Sequence, residues 1–498
     1  MAGIRSLAKD TVLYGLSSII GRFLNWLLVP LYVYKLQTQG EYGTITFLYS
    51  WMALLIILLT YGMETGFFRF ANDKEEKDPD SVYSTTMISI GSTSGIFILL
   101  LVLFLNPLSR ALNLESHPDY VLLMGIIIGL DAFTSIPFAY LRYCKRPLRF
   151  AAYKLVSIGV NIGLNLFFFL LCPLLVEKYP DAVSSFYNPR YGVDYILISN
   201  LISTITVCFL LLPEILKAKF KFRPLLLKKM LAYSLPLLVL GIAGIMNQNI
   251  DKMLYPYLIE DKEAAMAQLG IYGANFKIAL LMMLFTQAFR YAYDPFIFAR
   301  EKGEDKRPAF ALAMKYFILC GIFIFLGVMF YIDIIKYFIK PTYFEGLRIV
   351  PIVMAGQLFS GIFFNLSLWY KLTDKTEWGA YFSLIGFGII VAGNLIFVPR
   401  YGYTACAWAG FACYLAMMLA SYFVGKRRYP IAYDLKSIGK YGIVALFLYI
   451  TGMHVTFESP ILRLGIRTVI LAGYVLFILK NEPRLREVLL ALKRHSRQ

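Results

Sequence analysis

The chain has few charged residues for its length. Only 16% of its 498 residues are Asp, Glu, Lys or Arg, whereas 59% are hydrophobic. A soluble protein has about a quarter of its residues charged, because its domains need a polar surface. The shortage excludes a soluble enzyme, and the hydrophobic content excludes a disordered chain. The composition therefore predicts an all-α polytopic membrane protein.

Cysteine and histidine are also scarce. The six cysteines lie far apart without a CxxC pair, and there are three histidines. This spacing supports neither a metal site nor a disulfide framework. The phosphate-binding pattern GxxxxGK[ST] is absent, so we expect no ATP hydrolysis by this chain. No small-residue cleavage site follows the basic N-terminus, so we expect the first hydrophobic helix to be retained.

Long hydrophobic runs fill most of the chain. A helix needs about 20 mostly apolar residues to cross the hydrocarbon of a bilayer. By that criterion the sequence predicts fourteen spans, at 11–33, 43–66, 82–106, 119–141, 151–176, 191–213, 231–257, 269–292, 309–334, 348–370, 377–398, 402–424, 437–455 and 461–479.

Basic residues are in excess, with 49 Lys and Arg against 31 Asp and Glu. In a membrane protein such an excess gathers in the cytoplasmic loops, and we therefore expect no nucleic-acid partner. Alternate loops are strongly basic, at 142–149, 217–229, 300–307 and 426–428, as is the tail after 480. The pattern predicts a multi-pass membrane protein with both termini cytoplasmic.

Two halves of the sequence resemble each other. Gly40, Tyr42 and Gly43 recur as Gly270, Tyr272 and Gly273, 230 residues later. Asn165 recurs as Asn394, and the segment 189–192 recurs as 399–402. Since six helices separate the copies, both begin on the same side and the repeat is parallel. We predict an N-lobe at 1–216 (six helices), a basic cytoplasmic loop at 217–230, a C-lobe at 231–424 (six helices), two extra helices at 425–480 and a basic amphipathic tail at 481–498.

Polar residues inside the spans are the candidate site, because a charge at bilayer depth costs at least about 2.5–3.5 kcal/mol. We expect them to face a cavity between the lobes or to pair with one another. Arg22 is the strongest candidate, since it lies mid-span with no acidic residue on its own helix. The candidate substrate-binding residues are Arg22, Asn25, Glu64, Arg69, Lys154, Gln248, Asp251, Lys252, Lys277 and Arg290.

Several of these residues have a structural alternative. Arg69, Lys154 and Arg290 lie near the inner boundary, where anchoring in the interface explains them as well. Lys252 has the alternative of an ion pair with Glu64 or with a carboxylate of the cavity. Asn165 and Asn394 are expected to form hydrogen bonds between helices rather than to contact a ligand. The surplus of cations favours an anionic cargo, since guanidinium groups bind phosphate oxygens in a bidentate manner.

The motifs resemble those of a known transporter group. GLSSIIGRFLNWLLVPLY at 15–32, GEYGTITF at 40–47, LGIYGANFKIA at 269–279 and PRYGYTACAWAG at 399–410 are similar to the Wzx-like polysaccharide flippases of the multidrug/oligosaccharidyl-lipid/polysaccharide exporter superfamily. The resemblance covers almost the whole chain. It implies a transporter that moves undecaprenyl-pyrophosphate-linked oligosaccharides between leaflets by alternating access, and no enzyme. Under it, Arg22 and Asn25 match the polar positions of the first helix.

The resemblance also implies the partners. These are the polyprenyl-pyrophosphate-linked glycan, membrane lipids and the polysaccharide polymerase or ligase machinery. No cofactor is implied, and the driving force stays open between an H⁺ or Na⁺ gradient, the membrane potential and consumption of product outside. The alternatives are a cation-coupled multidrug exporter of the same fold, a lipid II flippase and, from another class, a membrane glycan polymerase or ligase.

Overall fold

The computed structural model describes residues 20–483, apart from 74–77, 184, 186, 220, 299–306, 374 and 456. Within this part the secondary structure is helical, without strands, which confirms the predicted all-α class. Twelve helical segments of these residues are long and apolar enough to cross a membrane. The protein is therefore a multi-pass membrane protein. The predicted tail helix lies outside the described residues from 484 onwards.

The helices follow the predicted spans closely. We number them α1 (20–26 and Leu28–Lys35), α2 (Gln39–Ala71), α3 (Pro79–Leu103), α4 (Pro118–Tyr143), α5 (Pro147–Lys178), α6 (Gly192–Leu210), α7 (Pro224–Leu258), α8 (Lys262–Phe298), α9 (Arg307–Phe330), α10 (Pro341–Leu372), α11 (Glu377–Tyr401), α12 (Tyr403–Arg428), α13 (Leu435–His454) and α14 (Pro460–Asn481). All except α1 and α13 belong to the twelve.

The start of α7 differs from the sequence prediction. The helix begins at Pro224, so half of the predicted loop at 217–230 is helical. Proline is well suited to a first helical position because its missing N–H has no partner there in any case. Leu226 and Met230 are then buried against the end of α2, near Met63 and Phe67. This apolar contact extends the helix below the membrane span.

Helix pairing is similar in the two halves of the chain. In the first half α4 packs on α2, α3 and α6, and α5 packs on α6. In the second half α10 packs on α8, α9 and α12, and α11 packs on α12. Each helix pair of the first half therefore has a counterpart in the second half, formed by the helices that lie six positions later in the chain. Such pairing is what a duplicated six-helix unit produces.

Helices α13 and α14 are attached to the second half by ion pairs near both of their ends. At one end Arg467 of α14 is buried, and its guanidinium lies 2.8 Å from Asp333. At the other end Lys315 of α9 pairs with Asp434, before α13, and with Glu482, after α14. Hydrogen bonds from Ser437 together with the Lys315 ammonium lower the pKa of Asp434 to about 2, so this carboxylate stays charged at physiological pH.

The two ends of the bundle differ in charge. We call the end with the loops at 142–149, 217–229 and 426–428 the basic end, and the other the less basic end. At the less basic end α2 crosses α8 with their backbones in direct contact. A Cβ atom on Gly43 would collide with the carbonyl oxygen of Met266, and one on Gly270 would collide with that of Gln39. We call this contact of Gly43 with the α8 backbone and of Gly270 with the α2 backbone the glycine crossing.

The glycine crossing explains why the G-x-Y-G motif occurs twice. Its glycines allow two helices from different halves to approach closely, as small residues do in membrane helix pairs generally. Tyr42 and Tyr272, the tyrosines of the two motifs, are both buried beside it. The crossing holds the two halves together at the less basic end.

We predict that Gly43→Val prevents this contact, because the side chain has no space against the α8 backbone. Spin labels at the exposed positions Tyr191 and Tyr401, introduced as cysteines in a variant without the six native ones, should then move apart. Pulsed electron paramagnetic resonance measures that distance. Gly388→Val is the matched control, since a Cβ at Gly388 meets open space. An unchanged distance in the Gly43 variant would contradict the role assigned to the crossing.

Candidate substrate cavity

A cavity of about 490 Å³ lies between the two halves of the chain. Residues of α1, α2, α5, α6, α7, α8 and α10 form its wall. Tyr42 and Gly273, next to the glycine crossing, are part of this wall, whereas Gln287 lies 14 residues further along α8 towards the basic end. The cavity therefore extends along the membrane normal from the closed less basic end, and its volume suits a small-molecule headgroup.

The wall of the cavity carries positive charge. Arg22 of α1, Lys252 of α7 and Lys277 of α8 line it, and the lining residues described by the structure include no Asp or Glu. Arg22 is exposed although it lies within the span of α1. Its side chain contributes to the lining of this cavity. Cationic groups around such a cavity attract an anion.

Lys252 is held by a network within the second half. Its Nζ atom lies 3.1 and 3.3 Å from the two carboxylate oxygens of Asp251 and donates to the carbonyl of Gln248 at 2.9 Å. The Tyr272 hydroxyl donates to the same carboxylate at 2.5 Å, and the ring of Phe276 lies 4.2 Å from the ammonium. The positive charge of Lys252 is thus balanced inside the protein.

Amide side chains occupy much of the remaining wall. Amides donate and accept hydrogen bonds at once, so they match sugar hydroxyl groups. Aromatic rings from Trp26, Tyr32, Tyr49 and Phe276 lie among them. The amide residues of the wall are Asn25, Asn161, Asn200, Gln248, Asn249, Gln287 and Gln357.

Helix α1 connects the two halves across this cavity. The Trp26 indole donates to the carbonyl of Lys277 at 2.7 Å and stacks on Phe338 with the ring centroids 4.1 Å apart. On the other side Asn161 of α5 donates to the side-chain oxygen of Asn25 at 3.4 Å. These contacts fix the helix segment that carries Arg22.

The structure brings five of the predicted site residues together. Arg22, Asn25, Gln248, Lys252 and Lys277 line the cavity. Asp251 is not among the residues of this wall; it lines a small pocket that shares Gln248 and Gln357 with the cavity, and it pairs with Lys252. Of the two ion pairs considered for Lys252, the structure does not contain the one with Glu64: the carboxylate beside its ammonium is that of Asp251.

The other four predicted residues have partners elsewhere. Glu64 forms an ion pair with Arg142. The guanidinium of Arg69 lies 4.1 Å from the ring of Tyr233, the Lys154 ammonium 4.1 Å from that of Phe138, and the Arg290 guanidinium 4.4 Å from that of Phe364. Arg69, Lys154 and Arg290 are exposed and Glu64 is half-buried, and none of the four is among the residues that line the cavity.

The structure does not contain the hydrogen bonds to other helices that we predicted for Asn165 and Asn394, and it adds amide residues to the cavity wall. Asn165 and Asn394 are buried, but each donates to the carbonyl four residues earlier on its own helix and not to another helix. Conversely Asn200, Gln287 and Gln357 line the cavity and were not predicted. Each is a lone amide within an apolar run, which is the signal that could have identified them.

Comparisons with known proteins agree with this architecture. Residues 7–291, more than half of the chain, match the family described as "Polysaccharide biosynthesis protein". No curated protein sequence matches the chain significantly.

Solved structures with the same fold include transporters of several kinds. A structure described as lipid II flippase MurJ in an inward closed conformation aligns with a TM-score of 0.71 at 15% identity, over 95% of this chain and 99% of that one. An inward-facing multidrug resistance MATE family transporter of the MOP superfamily aligns with a TM-score of 0.62 at 12% identity, over 86% and 96%. A MOP superfamily transporter from Pyrococcus furiosus gives 0.55 at 13%, over 86% and 98%. At these identities the likeness shows the fold, which is the predicted exporter fold.

We predict that Asp251→Ala lowers the thermal unfolding midpoint of the purified protein. The change leaves the Lys252 ammonium, which is 6% exposed, without its counter-ion, and removing one partner of a buried pair costs about 3–5 kcal/mol. The double variant Asp251→Ala/Lys252→Met should regain part of that loss, because no uncompensated charge remains. A midpoint equally low in the double variant would contradict the pairing.

Proposed function

Since the chain belongs to the polysaccharide biosynthesis protein family, we propose that it is a flippase for a polyprenyl-pyrophosphate-linked oligosaccharide of the bacterial inner membrane. The observation that carries the proposal is the cavity wall, in which Arg22 and Lys277 have no ion-pair partner among the described residues and which has no carboxylate among its described lining residues. Such a wall in a membrane-spanning fold suits an anion that hydrocarbon would otherwise exclude.

The headgroup chemistry matches the wall. Guanidinium and ammonium groups form charge-assisted hydrogen bonds with the phosphate oxygens of a pyrophosphate. The amides and aromatic rings of the same cavity offer hydrogen bonds and stacking surfaces to the first sugars. The polyprenyl tail needs no cavity, because it is as apolar as the surrounding lipid. Only the polar headgroup has to be shielded during transfer.

Transfer proceeds by alternating access in this proposal. The basic loops favour an orientation with the basic end in the cytoplasm; in this orientation the glycine crossing closes the outer end of the cavity. Opening outward separates α2 from α8 and releases the headgroup to the outer leaflet. Polymerase or ligase machinery that consumes the glycan there would keep the net movement outward.

The membrane potential can drive this cycle. A potential that is negative inside favours outward movement of the anionic cargo, by about 2.3 kcal/mol per charge for each 100 mV. The same field favours the return of the unloaded, cationic cavity to the cytoplasmic side. A gradient of H⁺ or Na⁺ remains the second candidate for the driving force.

The alternatives differ in the cargo they require. A multidrug exporter for cations would need carboxylates in the wall, and the described wall has none. Lipid II is itself a polyprenyl-pyrophosphate glycan, so a lipid II flippase shares the mechanism, and the likeness to MurJ covers 95% of the chain. The family match favours a polysaccharide precursor.

We predict that Arg22→Ala greatly reduces export. A hydrogen bond to a charged group contributes about 1.5–3 kcal/mol, which corresponds to roughly ten- to hundredfold weaker binding. Mass spectrometry should show polyprenyl-linked intermediates accumulating in the cells while surface glycan falls. Arg22→Lys should restore export in part, since it keeps the charge but not the bidentate geometry.

The control for this experiment is Arg110→Ala. Arg110 is an exposed arginine outside the cavity wall, so its loss should leave export and protein level unchanged. Normal export by Arg22→Ala at normal protein level would show that the cavity does not bind the headgroup through this residue.

A further inference from the structure

The net charge of the cavity can be counted from its ion pairs. Three cations line the wall, but Lys252 is neutralised by Asp251 at 3.1 Å. Arg22 and Lys277 have no ion-pair partner among the described residues. The part of the wall that the structure describes thus presents two unbalanced positive charges, one from each half of the chain.

A pyrophosphate that links a polyprenyl group to a sugar is a diester. Each of its two phosphorus atoms keeps one acidic oxygen, so it carries two negative charges at neutral pH. The two unbalanced cations of the wall equal that charge. This equality matters because the loaded cavity has to pass through a closed state, in which net charge at bilayer depth is costly.

The other described lining residues of the wall include no charged group that could pair with a charge on the glycan. The remaining polar lining residues are uncharged amides, hydroxyls and aromatic groups, such as Asn161, Asn200, Asn249 and Gln357. A uronic acid would add a negative charge without a cation to balance it. A free amino sugar would add a positive charge, and no carboxylate of the described wall would receive it.

We propose that the cavity selects a pyrophosphate-linked glycan whose membrane-proximal sugars are electrically neutral, and that the two cations Arg22 and Lys277 set this selectivity. The proposal rests on the proposed function and specifies its cargo. Asp251 neutralises Lys252, so Lys252 is not one of the unbalanced charges. Asp251 is therefore a specificity-determining residue, although it does not line the cavity.

The test uses the full-length protein in lipid nanodiscs and short-chain polyprenyl-pyrophosphate probes. Three probes differ only in the second sugar of a disaccharide, which is glucose, glucuronate or glucosamine, and a fourth is sugar-free, with a methyl ester in place of the sugar so that the pyrophosphate remains a diester with two charges. The glucose probe should bind at least about tenfold more tightly than the two charged ones. Arg22→Ala and Lys277→Met should weaken the binding of the glucose and sugar-free probes.

Variants with one added positive charge should reverse the preference. Asp251→Asn releases the charge of Lys252 while keeping a hydrogen-bonding side chain, and Leu280→Lys adds a cation to the wall one turn from Lys277. Both should move the preference to the glucuronate probe, and Leu280→Lys gives the answer if Asp251→Asn does not fold. The matched control is Asp131→Asn, which removes the carboxylate that attracts Lys154 without changing the cavity wall, and it should keep the preference for glucose.

The outcomes distinguish failure of the neutral-cargo inference from failure of the proposed flippase function. If the wild-type protein binds the glucuronate probe as tightly as the glucose probe, with Arg22 still required, the neutral cargo is wrong and the flippase stands. An unchanged preference in a folded Leu280→Lys variant would also overturn the charge count. If none of the four pyrophosphate probes binds, the proposed function itself fails.

Discussion

A charged side chain at bilayer depth must form an ion pair, be hydrated or be neutralised. This constraint explains the arrangement of the charged residues in this chain. Glu64 pairs with Arg142, and Asp251 pairs with Lys252. The cations Arg69, Lys154 and Arg290 lie against aromatic rings. After these partners are assigned, Arg22 and Lys277 remain in the wall of the cavity. The other charges named here have an ion-pair or aromatic partner within the bundle, whereas these two are available to a cargo.

The glycine crossing closes the cavity in whose wall these charges lie. Backbone contact between α2 and α8 closes the cavity at one end without a bulky plug of side chains, so two halves can separate there by rigid movement. On either side of it the helices are packed by ordinary apolar contacts, with Leu48, Leu269 and Tyr272 fully or almost fully buried. The closure therefore depends on a few glycines, whereas the stability of each half depends on its own core.

Helices α13 and α14 are attached by a different type of contact. Their ion pairs with Asp333 and Lys315 hold them to the second half near both of their ends, and the described cavity wall contains no residue of either helix. They enlarge the second half without taking part in the binding surface described here. The alignment with the MurJ structure covers 99% of that chain and 95% of this one, so the two chains have similar lengths. This indicates that the fold accommodates two helices in addition to the two halves.

The sequence by itself determined the helices, their number and their polar members, because hydrophobic length and isolated charges are local properties of a chain. It also located Arg22 and the run from Gln248 to Lys252, which are polar groups too costly to place in lipid. Tertiary structure alone decided which of these groups meet. Lys154 and Lys277 look alike as single cations in apolar runs, yet one rests on the Phe138 ring of a neighbouring helix and the other lines the cavity. The direction in which a helix face points depends on the helices packed around it, and no local pattern encodes that.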